Sequence, residues 1–210
     1  MDTLEQNIPA VLENWRFLDS PPLSGPENMR LDADVLAGVE EGRLPPTLRF
    51  FRFNAPTVSF GRLQKLSDVS PLAPFGWDCV QRPTGGGIVF HEGDLCLSLS
   101  WAGSLSPLPN RPQDQYRWIH GIILEALAED RSLRMAACCD QAAPKEAFPQ
   151  RTCFNNPVGY DLLQEQQKIV GGALRCTRRA TLYQGSIQMK LTPEQERRLF
   201  HAFHARLAAL

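Results

Sequence analysis

Residues 82–101 read Arg82-Pro83-Thr84-Gly85-Gly86-Gly87-Ile88-Val89-Phe90-His91-Glu92-Gly93-Asp94-Leu95-Cys96-Leu97-Ser98-Leu99-Ser100-Trp101. Three successive glycines without Cβ atoms let the chain turn sharply and let another backbone or a ligand lie directly against it. Strand-forming residues stand on both sides: 79–82 and 88–91 around the glycines, then 95–101. The last of these alternates apolar and small polar residues, the period-two pattern of a sheet with one buried face. Neither a Walker lysine nor GxGxxG spacing accompanies the glycines, so phosphate cradling in those two modes is disfavoured.

Outward from this stretch, residues 15–19, 47–53 and 57–60 are predicted strands. Ser24, Gly25 and Pro26 open a helix carrying Met29, Leu31, Val35, Leu36 and Val39 and ending near Gly42. A second helix is expected over 116–128. Residues 136–150, with Pro144 and Pro149 and no clear period, read as a surface loop. Residues 160–163 and 169–174 form an expected hairpin, 181–189 a further strand, and Thr192-Pro193-Glu194-Gln195 the capping box of a closing helix. Strands in neighbouring hairpins with helices interspersed imply an α/β protein of α+β type. Its sheet is expected to be mixed, largely antiparallel and flanked by helices.

Length and composition agree with a single domain over 1–210. The 210 residues are 43% hydrophobic and 21% charged, with a net charge of −1. Such a chain can bury a core without metal or disulfides, and it lacks the global basic field of a nucleic-acid binder. No apolar run reaches membrane-spanning length, and the first residues lack the basic and apolar parts of a signal peptide. The six cysteines, at 79, 96, 138, 139, 153 and 176, have no CxxC spacing. They read as reduced thiols of a cytoplasmic protein.

Three segments could carry chemistry. In the first, Arg82 either clamps an anionic group or is a solvated flank, and His91 is either a strand-end hydrogen-bonder or a base. In the second, Lys168-Ile169-Val170-Gly171-Gly172-Ala173, a lysine enters an apolar strand containing two glycines. Either something approaches that strand closely, or the lysine is an exposed residue at a hairpin turn. In the third, Arg151-Thr152-Cys153-Phe154-Asn155-Asn156-Pro157, a cysteine sits in a polar, turn-rich stretch beside a cation. That setting suits a reactive thiolate, whereas Cys79 and Cys96 lie in strand patterns and read as core.

Together these segments resemble the biotin/lipoate protein ligase and lipoyl (octanoyl) transferase superfamily, over nearly the whole chain. FNAPTVSFGRLQ (53–64) is similar to its P-x-V-S-x-G-x-x-Q segment, the 82–100 stretch to its glycine-rich acyl-binding segment, and KIVGGALR (168–175) to its lysine segment. The resemblance implies a ligase-like catalytic fold. Cys153 through Asp161 is similar to the CF-x-x-P-x-x-Y-(D/E) segment of the octanoyl-carrier-protein:protein octanoyltransferase branch. Another transferase branch keeps its cysteine at the position aligned with Thr181. Two places depart from the family pattern: Gly172 and Leu174 stand where Ser and Gln are usual, and Tyr183 and Gln184 where Gln and His are usual.

On this resemblance, Cys153 and Lys168 are the implied catalytic residues. Arg82, Thr84, Gly85, Gly86, Gly87, His91, Val170, Gly171, Gly172 and Ala173 are the implied acyl-binding set. Ile88 and Val170 would line an apolar tunnel, Arg151 or Lys168 would keep the thiol ionised, and His91 or Lys168 would serve as base. The implied donor is octanoyl-acyl carrier protein. The implied acceptor is a lipoyl domain, of a glycine cleavage H protein or a dehydrogenase E2 subunit. No cofactor or metal is required, and no C-terminal accessory domain is expected. The alternatives are an ATP-dependent lipoate-protein ligase subunit, an octanoyl amidotransferase, and an acyl- or lipoyl-domain-binding protein without catalysis.

Overall fold

A computed structural model describes residues 15–103, 108–127, 132–137, 153–155 and 157–210. The chain begins with β1 (Arg16–Asp19), α1 (Gly25–Glu40), β2 (Thr47–Phe51) and β3 (Thr57–Phe60). A short helix α2 (Leu66–Val69) and a 3₁₀ turn (Ser70–Leu72) lead into β4 (Asp78–Gln81), β5 (Val89–His91) and β6 (Leu95–Ala102). Then come α3 (Pro112–Leu127), β7 (Leu133–Met135), β8 (Leu162–Gln164), β9 (Gln167–Cys176), β10 (Ala180–Ile187) and α4 (Pro193–Ala208).

The strands form a seven-stranded sheet ordered β1-β2-β6-β10-β9-β8-β7 and a three-stranded sheet ordered β4-β3-β5. Among the described strands, β1–β2 and β3–β4 pair in parallel and the other pairs are antiparallel. The expected mixed, largely antiparallel architecture is therefore what the chain adopts, divided over two sheets. Ser24 caps α1 in a capping box with Glu27, and Thr192 with Gln195 does the same for α4. Each box satisfies backbone donors that a helix start leaves unpaired.

The alternation in β6 predicts one buried face, but every residue from Leu95 to Trp101 is buried. Leu97, Leu99 and Trp101 enter the main core with Ile119 and Ile123 of α3 and Leu199 and Phe203 of α4. The opposite face is covered by α1, whose Asp32 accepts from Ser98 Oγ at 2.8 Å and pairs with Arg49 of β2 at 2.8 Å. Ser98, a small polar side chain of β6, thereby faces a helix through a hydrogen bond. Of the expected 136–150 loop, residues 138–150 lie outside the described residues, as do Cys138, Cys139 and Arg151.

Candidate active site

Cys153 is held beside the small sheet by its backbone, whose N–H donates at 2.8 Å to the carbonyl of Ile88, the residue before β5. Opposite it, a register shift between β8 and β9, where Leu162 pairs with Val170 and Leu163 with Lys168, changes how β9 presents its side chains. Lys168 turns inward: its Cε and Nζ occupy the place that a Cβ on Gly171 would take. A glycine at 171 is thus what lets the lysine lie along the strand. Lys168 Nζ donates to Cys153 Sγ at 3.3 Å and to the Cys153 carbonyl at 3.2 Å, and pairs with Asp161 at 2.9 Å. The Phe154 ring lies 5.2 Å from the ammonium.

The exposed-lysine alternative fails, since Lys168 is 4% exposed. Burial works against its charge, but Cys153 and Asp161 outweigh that cost and hold its pKa above the usual lysine value. Asp161 is itself fixed on three sides. Besides Lys168 it accepts from Tyr116 Oη at 2.5 Å and from the Val158 N–H at 2.7 Å, while Tyr116 Oη accepts from the Gly172 N–H at 2.9 Å. Burial, reinforced by Asp161, pushes the Tyr116 phenol well above its ordinary pKa, so it remains a neutral donor. No sequence signal singled out Tyr116. Asp161 stood at the end of the cysteine segment with no role attached.

The glycine turn is held from within. Arg82 is buried and donates to the carbonyls of Gly85 and Gly87 at 3.0 and 2.7 Å, and to Ser59 Oγ at 2.7 Å. Its guanidinium is committed to that turn, which excludes the solvated-flank reading. Thr84 donates to Gln184 Oε1 at 2.7 Å, and Gln184 donates to Asp32 at 2.6 Å. A chain of hydrogen bonds thereby ties the turn to α1.

Both ring nitrogens of His91 are engaged, Nε2 with Ser59 Oγ at 2.6 Å and Nδ1 with Asp94 at 2.8 Å. Asp94 also accepts from Ser186 Oγ at 2.6 Å and from Cys96 Sγ at 3.3 Å. Burial opposes its ionisation, yet His91 and these donors hold its pKa below the ordinary carboxyl value. Burial and then Asp94 push the Cys96 thiol far up, so this second cysteine of the region stays protonated. His91, Asp94 and Cys96 are the one group of possible metal ligands among the described residues, their ligating atoms within 4.8 Å of one another.

A cleft opens on the α1 side of the main sheet. Cys153, Gly171, Gly172 and Ala173 line part of it, and Met29, Phe51, Phe53 and Val89 supply an apolar wall. Arg82, Ser59, His91, Cys96 and Gln184 reach it too. The structure thus unites Cys153, Lys168, Arg82, His91, Gly171, Gly172 and Ala173. Five of the expected acyl-binding positions are not among the residues that line this cleft: Val170, Thr84, Gly85, Gly86 and Gly87. Val170 lies in the main core and Ile88 in a separate apolar cluster beneath the small sheet, so neither lines the cleft. Thr84, Gly85, Gly86 and Gly87 do not line it either; they form the turn whose shape Arg82 and Gln184 set. Strand alternation sends Val170 to the face opposite Gly171.

The two departures from the family pattern meet in space. A Cβ on Gly172 would collide with the ring of Tyr183, and one on Gly185 would collide with its hydroxyl. The tyrosine fills the volume that a serine at 172 would need. Its Oη bonds His120 Nε2 at 2.8 Å, and burial, with Lys168 adding to it, lowers the pKa of that histidine to about 3.

A profile of the lipoyl protein ligase A/B catalytic domain matches residues 24–206. The chain belongs to this enzyme family. It is 33% identical over 194 residues to "Octanoyltransferase LipM" of Anoxybacillus flavithermus, covering 90% of this chain and 70% of the relative. The protein of the same name from Geobacillus kaustophilus is 34% identical over 188 residues, covering 87% and 68%. Among solved structures, lipoate-protein ligase A bound with ATP superposes with a TM-score of 0.62 at 18% identity, covering 92% of this chain and 85% of that one. P. falciparum LipL1 in complex with lipoate gives 0.62 at 16% identity, covering 91% and 62%. These two likenesses establish the ligase-like fold.

Proposed function

We propose that this protein is an octanoyltransferase of protein lipoylation, working through a thioester on Cys153. The observation that carries the reading is the ammonium of Lys168 held 3.3 Å from Cys153 Sγ at an apolar cleft. The relatives named octanoyltransferase support it.

In the first step the Cys153 thiolate attacks the carbonyl carbon of octanoyl carried as a thioester on acyl carrier protein. The carbonyl π electrons move to oxygen, and Lys168 donates a hydrogen bond to that oxyanion. Collapse expels the carrier's thiolate and leaves octanoyl on Cys153. In the second step the neutral ε-amine of a lipoyl-domain lysine attacks the same carbon. An amide forms as the C–S bond to Cys153 breaks, Cys153 leaves as the thiolate, and the amine's proton passes through solvent to the carrier thiolate released in the first step. Thioester exchange is nearly balanced, whereas amide formation draws the second step forward. Among the described residues His91 is bonded to Ser59 and Asp94, and no hydrogen bond joins it to Cys153. Asp161 acts through Lys168, keeping the ammonium protonated and pointed at Sγ.

Incubation with octanoyl-acyl carrier protein is expected to add one octanoyl mass to the protein, and Cys153→Ser to abolish the adduct. An adduct persisting in the serine variant removes Cys153 from the mechanism. Octanoyl-adenylate formed from free acid and ATP, unaffected by that substitution, would establish a ligase instead. Octanoyl taken from an already modified lipoyl domain would establish an amidotransferase.

A further inference from the structure

Four large hydrophobic side chains stand exposed among the described residues, and all come from one segment: Leu63 (72%), Leu66 (53%), Leu72 (41%) and Phe75 (105%). Scattered exposed apolar residues need no explanation, but a cluster of them on one short segment marks a contact surface. The segment is not loosely attached. Val69 is fully buried beneath it, and the Gln81 side chain donates to the Gln64 carbonyl at 3.0 Å. Gln64 Oε1 in turn accepts from the Gly61 N–H at 2.9 Å.

It also abuts the glycine turn. Gly61 passes so close to the carbonyl of Gly86 that no side chain would fit between them. The Arg62 N–H donates to the Thr84 carbonyl at 2.9 Å. The exposed cations Arg62 and Lys65 alternate with Leu63 and Leu66 here, and neither has an ion-pair partner among the described residues. Arg175 brings a third cation to the same turn, at 3.5 Å from the Pro83 carbonyl. Of the segment's carboxylates, Asp68 is half-buried beside Ser67, and Asp78 lies at the end of β4 away from Gln81. The charge facing the glycine turn is positive.

We propose that residues 62–75, with Arg175, form the docking surface for the acidic carrier domain that delivers the octanoyl thioester. This rests on the octanoyl-transfer reading above, in which the donor is tethered to a protein too large to enter the cleft. Apolar side chains supply the buried centre of such an interface, and the cations supply its orientation and encounter rate. Phe75 and Leu66 are the anchors of the contact, as the exposed aromatic and aliphatic side chains able to enter a pocket of the partner.

The test compares two donors, octanoyl-acyl carrier protein and the octanoyl thioester of N-acetylcysteamine, which has no protein part. Acylation of Cys153 is followed by intact mass in the wild type, in Arg62→Glu/Lys65→Glu, and in Leu66→Ser/Phe75→Ser. Every substituted side chain is exposed, and unchanged thermal unfolding confirms that the variants fold. With the carrier donor, each double variant is expected to raise the half-saturating concentration about tenfold or more, and the charge variant to flatten the salt dependence. With the small thioester, rates stay at the wild-type value. Equal slowing with both donors overturns the proposal, and so does no slowing with the carrier. Slowing confined to transfer onto the lipoyl domain gives the surface to the acceptor and likewise overturns it. Should the wild type accept octanoyl from neither donor, the function reading fails. The proposal is then decided by fluorescence anisotropy of labelled acyl carrier protein with the same variants.

Discussion

Lys168 holds the residue-scale chemistry together, because it is buried against Asp161 and hydrogen-bonded to Cys153. Replacing it by Met removes the donor to the developing oxyanion, and the acylation rate is expected to fall roughly 100-fold or more. It also leaves Asp161 buried without its cation, at a cost of about 3–5 kcal/mol to stability by urea unfolding. The two readouts separate when Asp161 is replaced with it: Lys168→Met/Asp161→Asn recovers much of the stability but none of the rate. Gly172 and Tyr183 give a second expectation at this scale. Gly172→Ser overpacks against the ring and costs about 1–3 kcal/mol. In a Tyr183→Gln background the cost is expected to vanish, so a double-mutant cycle reads a coupling of about 1 kcal/mol or more. His120 gives a third. Folding depresses its pKa to about 3, against an ordinary value of 6.5. Above that ordinary value both states are neutral and the histidine contributes nothing to the pH dependence. As pH falls below it, the unfolded chain takes up a proton that the folded one refuses. Stability therefore drops between the two values, by at most roughly 5 kcal/mol. His120→Gln is expected to move the acid-unfolding midpoint to lower pH, and an unchanged midpoint would contradict the assignment.

Among the elements, α1 does more than cover the sheet. Its Asp32 is buried against Arg49, accepts from Gln184, and through Gln184 reaches Thr84 at the glycine turn. Burial raises the Asp32 pKa despite Arg49 and three hydrogen bonds, so this junction carries a desolvated carboxyl whose partners must all be present. Thr84→Val cuts the link at the turn and leaves Gln184 Oε1 without that donor, an expected cost of about 1–3 kcal/mol. Because Arg82 still holds the turn, the effect on transfer is expected in KM for the octanoyl donor more than in kcat. Most elements were legible from sequence: α1 and α4 through their caps, and β6 through its alternation. The short α2 and the 3₁₀ turn were not, because four- and three-residue helices have too few positions to show a period. The strand β7 was missed for the same reason. The helix α3 starts at Pro112, four residues before its first expected position, since proline is well tolerated in the first turn.

For the whole molecule, the cleft lies where the α1 side of the main sheet meets the small sheet, with Phe51 and Cys96 on one side and Ser59 and Val89 on the other. An acyl chain there would bury itself between two sheets. Shortening octanoyl to hexanoyl removes two methylenes, each worth roughly 0.8 kcal/mol, so binding is expected to weaken about tenfold, as measured by competition with the octanoyl donor. No helix among the described residues is long and apolar enough to cross a membrane.

The family, the mixed sheet and the candidate pair Cys153 and Lys168 are legible in the chain alone, because they rest on local signals: caps, alternation, consecutive glycines and a cysteine among turn residues. What those residues touch depends on packing. Lys168 could have been an exposed hairpin lysine until a register shift and the missing side chain of Gly171 turned it inward. Ser59 and Asp94, on the two nitrogens of His91, are partners that its place at a strand end did not disclose. Val170 and Gly171 are neighbours in the chain, but alternation sends one to the core and the other to the cleft. Contacts between residues far apart in sequence, such as Tyr116 with Asp161 or Thr84 with Gln184, leave no periodic trace. They follow from how the elements pack, so the folded chain alone discloses them.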